Sequence, residues 1–477
     1  MTADAADGLI AYLKASPSPF HAVATSARLL EAAGFSGMTE SSPMPTAPGR
    51  HYLIRGGSLV AWSTERAAGP ATPFRVVGAH TDSPNLRIKP QPDLARAGFR
   101  QLGVEVYGGP LLSSWLDRDL GLSGRVTIRA GTELDAIRAR AARDLVISAT
   151  GSVAADAEDD DPSEVMPAPG DAAPAGATTV LVRFDEPLLR VAQLAIHLDR
   201  AVNTDGVKLN PQQHLSPIWG LGAEPGDFTA FLAEQIGVDR ADVLGWDVMT
   251  HDVQGPQRIG AEREFVAGGR MDNLATSFAG TRALIDACDA PAVNATATGP
   301  QPIPLLVLFD HEEVGSTSER GANSTLLPSV LERIVMSRGG SRDDYHRAMA
   351  ATVIASGDMA HATHPNYVDK HEPQHQISIG GGPVLKINNQ LRYATGAPGA
   401  AAFVLACEQA DVPLQRFVTR SDLPCGSTVG PMTAAQTGAE TVDFGAPMLS
   451  MHSARELVGT ADQAMYAAAL AAFLAPG

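Results

Sequence analysis

Apolar residues follow two patterns along the chain, one typical of helices and one typical of strands. Near the N-terminus, "DGLIAYLKA" and "PFHAVATSARLLEAAGF" repeat apolar residues at helical spacing, and Gly34 follows the second segment as a helix stop. The segment "RHYLIRGGSLVAWS" predicts two short strands joined at Gly56–Gly57, because a glycine pair favours a hairpin turn. Short apolar runs predict buried strands at "FRVVGAHTD", "TTVLVRF", "PIPLLVLF" and "ATVIASGD".

Helical segments alternate with these strands, among them "DFTAFLAEQIG", "MDNLATSFAGTRALIDACD" and "GAAAFVLACEQA". This alternation predicts an α/β fold with a mainly parallel sheet flanked by helices. Hairpins interrupt the alternation between about 90 and 240, so we expect a catalytic domain of residues 1–90 plus 240–477 and an inserted β-rich domain of residues 91–239. Residues 153–176 are rich in Ala, Pro, Gly and acids, which predicts a solvated, mobile loop.

Composition narrows the functional classes. The 477 residues are 44% hydrophobic and 19% charged, which is typical of a globular chain of more than one domain. The net charge of −17 argues against binding to nucleic acid or to an anionic membrane surface. No apolar run approaches the ~20 residues of a membrane span, and no secretory signal opens the chain, so we expect a cytoplasmic protein.

The three cysteines, Cys288, Cys407 and Cys425, are few, odd in number and far apart. That spacing fits neither a disulfide framework nor a cysteine zinc cluster. We therefore expect them to be buried small hydrophobic residues.

Several predicted strands end in residues that bind metals. In open α/β sheets, ligands lie beyond the carboxyl ends of the strands, so these side chains are expected to meet in one crevice. Asp272 joins them from the start of a helix in "GGRMDNLATSF". The strand ends supply His80 with Asp82, the adjacent Glu312 and Glu313, Asp358 and His452.

Two histidines and three carboxylates without cysteine suit a pair of zinc-like divalent ions. Two ions ~3.5–4 Å apart need a shared ligand, and an aspartate with two oxygens can bridge them. Asp82 lies two residues from His80 and can accept its other imidazole N–H. Of the adjacent Glu312 and Glu313, one can bind metal while its neighbour acts as general base.

Each signal also has an ordinary explanation. A His-x-Asp pair is more often a surface or satisfied pair, adjacent glutamates usually form a solvated face, and a lone His452 could cap a helix or fill a core. The joint occurrence of all of them favours a metal site.

The motifs resemble those of the aspartyl aminopeptidase family, which are dinuclear zinc aminopeptidases. The matching segments run from residue 16 to residue 456 and cover nearly the whole chain. Related deacylases share "EEVGS" followed by "RGA", but not "HPNY", "PCGST" or "HSARE". The resemblance rests on "SPSPFHAV", "GAHTDSPNLRIK", "WLDRDL", "LAIHLDR", "RMDNL", "DHEEVGS", "GDMAHATHPNY", "GGPVLKIN", "PCGSTVGP" and "MHSARE".

The resemblance implies a role for each candidate metal ligand. His80 and Asp358 would hold one zinc ion, and Glu313 and His452 would hold the other. Asp272 would bridge the two ions.

It also implies roles beside the metals. Glu312 would be the general base that activates the water, and Asp82 would orient the imidazole of His80. His197, in "LAIHLDR", would reach a neighbouring subunit's active site from the inserted domain; the ordinary alternative is a core histidine on an apolar strand.

Two further residues resemble substrate-binding positions of the family. Lys386, in "VLKIN", would bind an acidic side chain, where the ordinary alternative is a solvated surface lysine. Tyr393, in "LRYA", would donate to the transition-state oxyanion, where the alternative is a half-buried structural tyrosine.

The resemblance implies an enzyme with two divalent metal ions, expected to be zinc, that removes an N-terminal Asp or Glu from short peptides. It also implies a homo-oligomer, expected to be a dodecamer. Two alternatives stay open: a dinuclear zinc deacylase or carboxypeptidase acting on acylated amino acids, and a metal-stabilised scaffold without activity. A nucleic-acid binder is excluded by charge.

Overall fold

The computed structural model describes residues 2–130, 163–168, 174–290 and 301–477. The strands in chain order are β1 (Ser36–Met38), β2 (Arg50–Arg55), β3 (Ser58–Ser63), β4 (Phe74–His80), β5 (Asn85–Arg96), β6 (Phe99–Tyr107), β7 (Asp119–Arg129), β8 (Ser163–Pro167), β9 (Ala177–Arg190), β10 (Ile218–Leu221), β11 (Val243–Asp252), β12 (Gln257–Ile259), β13 (Phe265–Gly268), β14 (Ile303–Phe309), β15 (Val353–Gly357), β16 (Ala360–His361), β17 (Val384–Ile387), β18 (Gln415–Val418), β19 (Glu440–Gly445), β20 (Pro447–Leu449) and β21 (Glu456–Gly459).

The α-helices connect these strands or flank them. They are α1 (Thr2–Ala15), α2 (Pro19–Ala32), α3 (Val202–Asp205), α4 (Pro211–His214), α5 (Phe228–Ile236), α6 (Met271–Asp289), α7 (Leu326–Ser337), α8 (Arg342–Ala350), α9 (Ala397–Gln409), α10 (Val429–Thr437) and α11 (Asp462–Leu474).

The largest sheet has nine strands in the order β1-β2-β3-β14-β4-β15-β19-β17-β18. Its centre, β14-β4-β15-β19, is parallel, and antiparallel pairs join β2 to β3, β3 to β14 and β17 to β19. The hairpin predicted at Gly56–Gly57 is the β2–β3 pair.

Helices cover both faces of this sheet. One face packs in a hydrophobic cluster with α1, α2, α6, α9 and α11, where Leu306 and Phe444 are fully buried. The other face packs against α7 and α8, with Val307 and Leu331 fully buried. The predicted α/β fold with a mainly parallel, helix-flanked sheet is confirmed.

A second sheet of seven antiparallel strands has the order β10-β6-β5-β11-β7-β9-β8, and β10 also pairs with β9. It has its own apolar core, in which Phe184 and Phe228 are buried. Its strands β5 and β11 reach Asn85 and Asp252, beyond the expected limits of 91 and 239. The division of the chain into two domains stays a prediction.

The segment predicted as a mobile loop, residues 153–176, contains a strand. β8 pairs antiparallel with β9, with Val165 opposite Val182. Ser163–Pro167 is therefore a paired strand, held by backbone hydrogen bonds that its composition does not indicate. Residues 153–162 and 169–173 lie outside the described residues.

A third sheet of five short strands, β12-β13-β21-β20-β16, lies at the carboxyl ends of the central strands. Its β13 leads into α6, and its β20 and β21 flank the turn that carries His452. Among the described residues, none of the helices is long and apolar enough to cross a membrane.

Candidate metal centre

The parallel strands bring distant residues to one edge of the large sheet. β14, β4 and β15 are neighbours, and Phe309 pairs in register with His80. His80 ends β4, Asp358 follows β15, and the turn Glu312–Val314 follows β14. Because parallel strands share an edge at their carboxyl ends, all three segments face the same crevice.

Two sets of three ligands share one aspartate. The ligand atoms of His80, Asp272 and Asp358 lie within 4.8 Å of one another, and so do those of Asp272, Glu313 and His452. We call the first set the Asp358 half and the second the Glu313 half. The structure thus brings together all five residues predicted as metal ligands.

The two oxygens of Asp272 face opposite halves. Oδ1 lies 3.6 Å from Nε2 of His80, and Oδ2 lies 3.3 Å from Nε2 of His452. The other carboxylates complete each half: Asp358 Oδ1 is 3.7 Å from His80 Nε2, and Glu313 Oε1 is 3.2 Å from His452 Nε2. This is the arrangement that a bridging aspartate requires.

The ring of His80 is oriented by a backbone group. Its Nδ1 donates to the carbonyl oxygen of Asp82 at 2.9 Å, while the Asp82 carboxylate lies farther away, at 3.4 Å. The carbonyl is the nearer acceptor, because the chain turns after β4 and points it at the ring, and the carboxylate keeps a longer contact with the same nitrogen. With Nδ1 as donor, Nε2 is left free to bind metal.

The Asp82 carboxylate instead holds the turn that carries the two glutamates. It accepts the backbone N–H of Glu312 and of Glu313, each at 3.1 Å, and the hydroxyl of Tyr107 at 2.7 Å. These hydrogen bonds fix the end of β14 against the end of β4. Burial opposes the charged form of Asp82, but the neighbouring imidazole of His80, the Tyr107 hydroxyl and the Glu313 N–H outweigh it and lower the pKa of the carboxyl group.

His452 is oriented from the second sheet. Its Nδ1 donates to the carbonyl oxygen of Gly109 at 3.0 Å, and its own carbonyl accepts the N–H of Leu111 at 2.9 Å. Gly109 and Leu111 follow β6, so the strands between Asn85 and Asp252 help to build the Glu313 half. Nε2 of His452 is again left for a metal.

The donor set fits zinc ions. Both imidazoles present Nε2, and all the remaining ligands are carboxylates. Asp272 Oδ1 and Glu313 Oε1 are buried oxygens without a hydrogen-bond partner among the described residues. Buried polar atoms are nearly always paired, so these two oxygens indicate a missing partner such as a metal ion.

Burial and neighbouring charges in the crevice shift the pKa of several of its groups. Burial opposes the charged form of His80, but the neighbouring carboxylates of Asp272 and Asp358 outweigh it and hold the pKa well above its usual value. In the same way, Asp272 and Glu313 overcome burial and raise the pKa of His452 to about 11. Burial raises the pKa of Glu313 to about 7. The crevice therefore concentrates negative charge that cations would neutralise.

Glu312 lies beside both halves, because one of its oxygens and the ligand atoms of His80 and Glu313 lie within 4.8 Å of one another. Its Oε2 lies 4.0 Å from Nε2 of His80, and its side chain is 16% exposed. Burial raises its pKa well above the usual value, with Asp358 and Glu313 adding to the effect. A carboxylate with raised pKa beside the ligands suits proton transfer.

Lys386 is 2% exposed, so it is not the solvated lysine of the ordinary alternative. Its Nζ donates to the carbonyl oxygens of Asp358 and Met359, each at 3.1 Å. A third contact, to Asp358 Oδ2, is 3.6 Å long. The ammonium thus lies beside a ligand of the Asp358 half.

Tyr393 covers that lysine. The ammonium of Lys386 lies 4.9 Å from the centre of its ring, and the tyrosine is 4% exposed. Burial raises the pKa of its hydroxyl, and the neighbouring Cys425 thiol adds to the rise. In this structure, the hydroxyl therefore contacts a thiol.

His197 lies away from the other candidates. It is exposed in the segment after β9, where Leu194, Ile196 and Leu198 are also exposed. It is not the core histidine on a strand that was the ordinary alternative. Within the described chain, no hydrogen bond or ion pair joins His197 to the metal centre.

Some supporting residues were missed by sequence reasoning. Ser83 Oγ donates to the carbonyl of Asp272 at 2.7 Å, and Ser277 Oγ donates to the carbonyl of His80 at 2.8 Å. Glu456, buried at 3% exposed, accepts backbone N–H groups of Asp272 and His452. Only its place in the quoted "HSARE" motif could have drawn attention to Glu456.

Comparison with known proteins places this site in context. A family model described as aminopeptidase I zinc metalloprotease (M18) matches residues 12–147 and 174–474. The chain is 49% identical over 470 residues to a probable M18 family aminopeptidase 2 of Streptomyces avermitilis, covering 98% of this chain and 97% of the relative.

Solved structures show the same fold. Ape4, in its complex with Nbr1, aligns with a TM-score of 0.85 at 31% identity, covering 99% of this chain and 86% of that one. The mApe1 dodecamer of S. cerevisiae aligns with a TM-score of 0.76 at 24% identity, covering 99% of this chain and 96% of that one.

Proposed function

Because the chain belongs to the M18 family and is a zinc aminopeptidase, we propose that it uses two zinc ions to remove N-terminal Asp or Glu residues from peptides. The observation that carries the proposal is the pair of ligand sets that share Asp272. Of the candidate ligands, Asp272 is the residue found in both sets, as a bridge between two ions requires.

The charge of the crevice supports bound cations. Five carboxylates and a single ammonium surround the ligand sets, so negative groups outnumber positive ones when both imidazoles present a neutral Nε2 to metal. Divalent cations would reduce this excess. The groups counted are Asp82, Asp272, Glu312, Glu313 and Asp358, with Lys386 as the ammonium.

The residues divide the chemistry between them. When bound, zinc would polarise the scissile carbonyl and lower the pKa of an attacking water toward ~7. Glu312 takes the proton from that water and delivers it to the leaving amine. Asp82 keeps Glu312 in reach by holding its backbone N–H, and the buried position of Glu312 raises its affinity for the proton.

Lys386 supports the preference for an acidic residue. Two of its three N–H donors are used by backbone carbonyls, and the third has only a 3.6 Å contact to Asp358. A substrate carboxylate would complete the hydrogen bonds of this buried ammonium, which an apolar side chain cannot do. Tyr393 forms a wall of the same subsite through its contact with Lys386.

We also propose the predicted assembly. The exposed apolar residues Leu194, Ile196 and Leu198 surround His197 on a surface suited to contact between subunits. His197 would enter the active site of a neighbouring subunit from there. Because the S. cerevisiae mApe1 was solved as a dodecamer, we expect a dodecamer, with residues 91–239 as the oligomerisation domain and a cytoplasmic location.

The test is hydrolysis of four anilides: those of Asp, Glu, Leu and N-acetyl-Asp. Each is measured with and without a chelator, followed by addition of Zn²⁺. We expect fast, chelator-sensitive cleavage of the Asp or Glu substrate and none of the acetylated one, since the enzyme acts at a free N-terminus.

Other outcomes would change the proposal. Activity chiefly on the Leu substrate would keep the metal centre but reject the role given to Lys386. Activity only on the acetylated substrate would favour a deacylase. Size-exclusion chromatography with light scattering tests the dodecamer, and a monomer with full activity would reject the role of His197.

A further inference from the structure

Two metal ligands are held by one buried carboxylate. Glu456 Oε2 accepts the backbone N–H of Asp272 at 3.1 Å, and Oε1 accepts the backbone N–H of His452 at 2.9 Å. The two ligands are 180 positions apart in the chain, and no other acceptor for these N–H groups is found among the described residues.

The third sheet places Glu456 between the two ligands. Glu456 opens β21, and it pairs with Gly268 at the end of β13. The chain leaves β13 toward Asp272, and it reaches β21 from the turn that carries His452. Backbone pairing between β13 and β21 therefore fixes the spacing of the strands next to the two ligand segments. Glu456 joins the segments themselves through its two hydrogen bonds.

Both segments adopt backbone conformations that need such support. Arg270 has φ 65°, and in the other segment Ser450 has φ 57° and His452 has φ 66°. Residues other than glycine occupy this left-handed region only when surrounding contacts hold them there. Glu456 accepts the backbone N–H of His452 itself and that of Asp272, which lies two residues after Arg270.

We infer that Glu456 is a positioning residue that sets the distance between the bridging aspartate and the histidine of the Glu313 half. Its two oxygens serve two donors, so the role requires a carboxylate. A glutamine has one carbonyl oxygen, and its NH₂ group would meet the second N–H as donor against donor. This inference rests on the proposed assignment of Asp272 and His452 as metal ligands.

The chain offers a matched control. Asp462 is likewise buried, at 2% exposed, and its carboxylate accepts the backbone N–H of Gly380 at 2.8 Å and of Gly382 at 2.9 Å. It lies six residues from Glu456 and likewise uses both carboxylate oxygens to accept backbone N–H groups, here from a single loop. Neither of its partners is a proposed metal ligand.

The experiment compares full-length E456Q and D462N. Zn²⁺ affinity is measured by competition with a chromogenic chelator, and Tm is measured on the metal-free proteins. Both variants should lose Tm, because each leaves one buried N–H without an acceptor. Only E456Q should also lose Zn²⁺ affinity, by about 10–100-fold, as for other residues that support metal ligands.

Two results would overturn the inference: wild-type Zn²⁺ affinity in E456Q, or an equal loss of affinity in D462N. Should E456Q fail to fold, E456D takes its place, since the shorter side chain reaches only one N–H, and wild-type affinity there also overturns the inference. D272N distinguishes a wrong metal assignment from a wrong role for Glu456. If D272N keeps two Zn²⁺ ions at wild-type affinity, the metal assignment fails; if it loses them while E456Q binds normally, only the role of Glu456 fails.

Discussion

The two halves of the metal centre are built in different ways. The Asp358 half takes His80 and Asp358 from the ends of adjacent parallel strands, and the side chain of His80 is 1% exposed. The Glu313 half takes its residues from two turns, and the side chain of His452 is 29% exposed. The first half is positioned by strand register, and the second by hydrogen bonds from three different sheets.

This difference indicates which half is more sensitive to the substitution of a single side chain. Strand register is secured by many backbone hydrogen bonds and by the buried cores on both faces, so a single side chain contributes little to it. The Glu313 half depends on a few specific contacts, from Asp82, Gly109 and Glu456. Substitutions should therefore affect the two halves unequally.

The largest effect on metal binding and activity is expected for Asp272→Asn, which should impair both halves alike. Because Asp272 contributes an oxygen to each, both ions should be lost. Activity should fall by more than the about 10²–10⁴-fold expected for removing a general base. Metal analysis after gel filtration measures this; one retained Zn²⁺ ion would show that Asp272 serves a single half.

Glu312→Gln should leave both halves intact and stop the chemistry. Glu312 lies outside the two ligand sets, so two Zn²⁺ ions should remain, while kcat falls about 10²–10⁴-fold with little change in KM. Glu319→Gln is the control, since Glu319 is exposed and pairs with Arg320. A near wild-type kcat in Glu312→Gln would place the base elsewhere.

Exchanging each histidine for glutamine should separate the halves. His80→Gln and His452→Gln should each remove the ion of one half. His80→Gln should also destabilise the metal-free protein, by about 1–3 kcal/mol, because it leaves buried polar groups without partners at the end of β4. His452→Gln, which changes a partly exposed turn, should shift the Tm less. Equal Tm losses, measured by calorimetry without metal, would contradict the comparison.

The smallest effect concerns two serines, one behind each half. Ser114 Oγ accepts the N–H of Ala454 at 2.9 Å, within the turn of His452, and Ser277 Oγ donates to the carbonyl of His80 at 2.8 Å. Ser114→Ala should weaken Zn²⁺ binding in the Glu313 half by about 1 kcal/mol, the net value of one hydrogen bond. Ser277→Ala should have less effect, because strand pairing already holds His80. A larger loss of affinity in Ser277→Ala would reverse the comparison.

The Asp358 half could be predicted because its signals are local. An apolar strand that ends in His80 or Asp358 predicts both the strand and a candidate ligand within a few residues. The parallel order of the strands then determines that the ends meet. The same reasoning located Glu313 after β14.

The supports of the Glu313 half could not be predicted, because they join remote parts of the chain through backbone atoms. Gly109 acts through its carbonyl on a histidine 343 positions away, and any residue at that position has a carbonyl. Asp82 contacts His80 as expected, but its carboxylate also accepts two N–H groups some 230 positions later, which the sequence did not predict. Residue type carries no signal for such contacts.

The spread of the ligands along the chain has a consequence for biosynthesis. The ligands run from His80 to His452 in a chain of 477 residues, whereas the second sheet is formed by the continuous stretch from Asn85 to Asp252. During synthesis, that sheet has all its strands available while β14, β15 and the turn of His452 are still missing. On the proposed assignment, a ribosome-bound chain can therefore complete the first ligand set only after Asp358 emerges and the second only after His452 emerges, so the two ions would become bindable at different stages of synthesis.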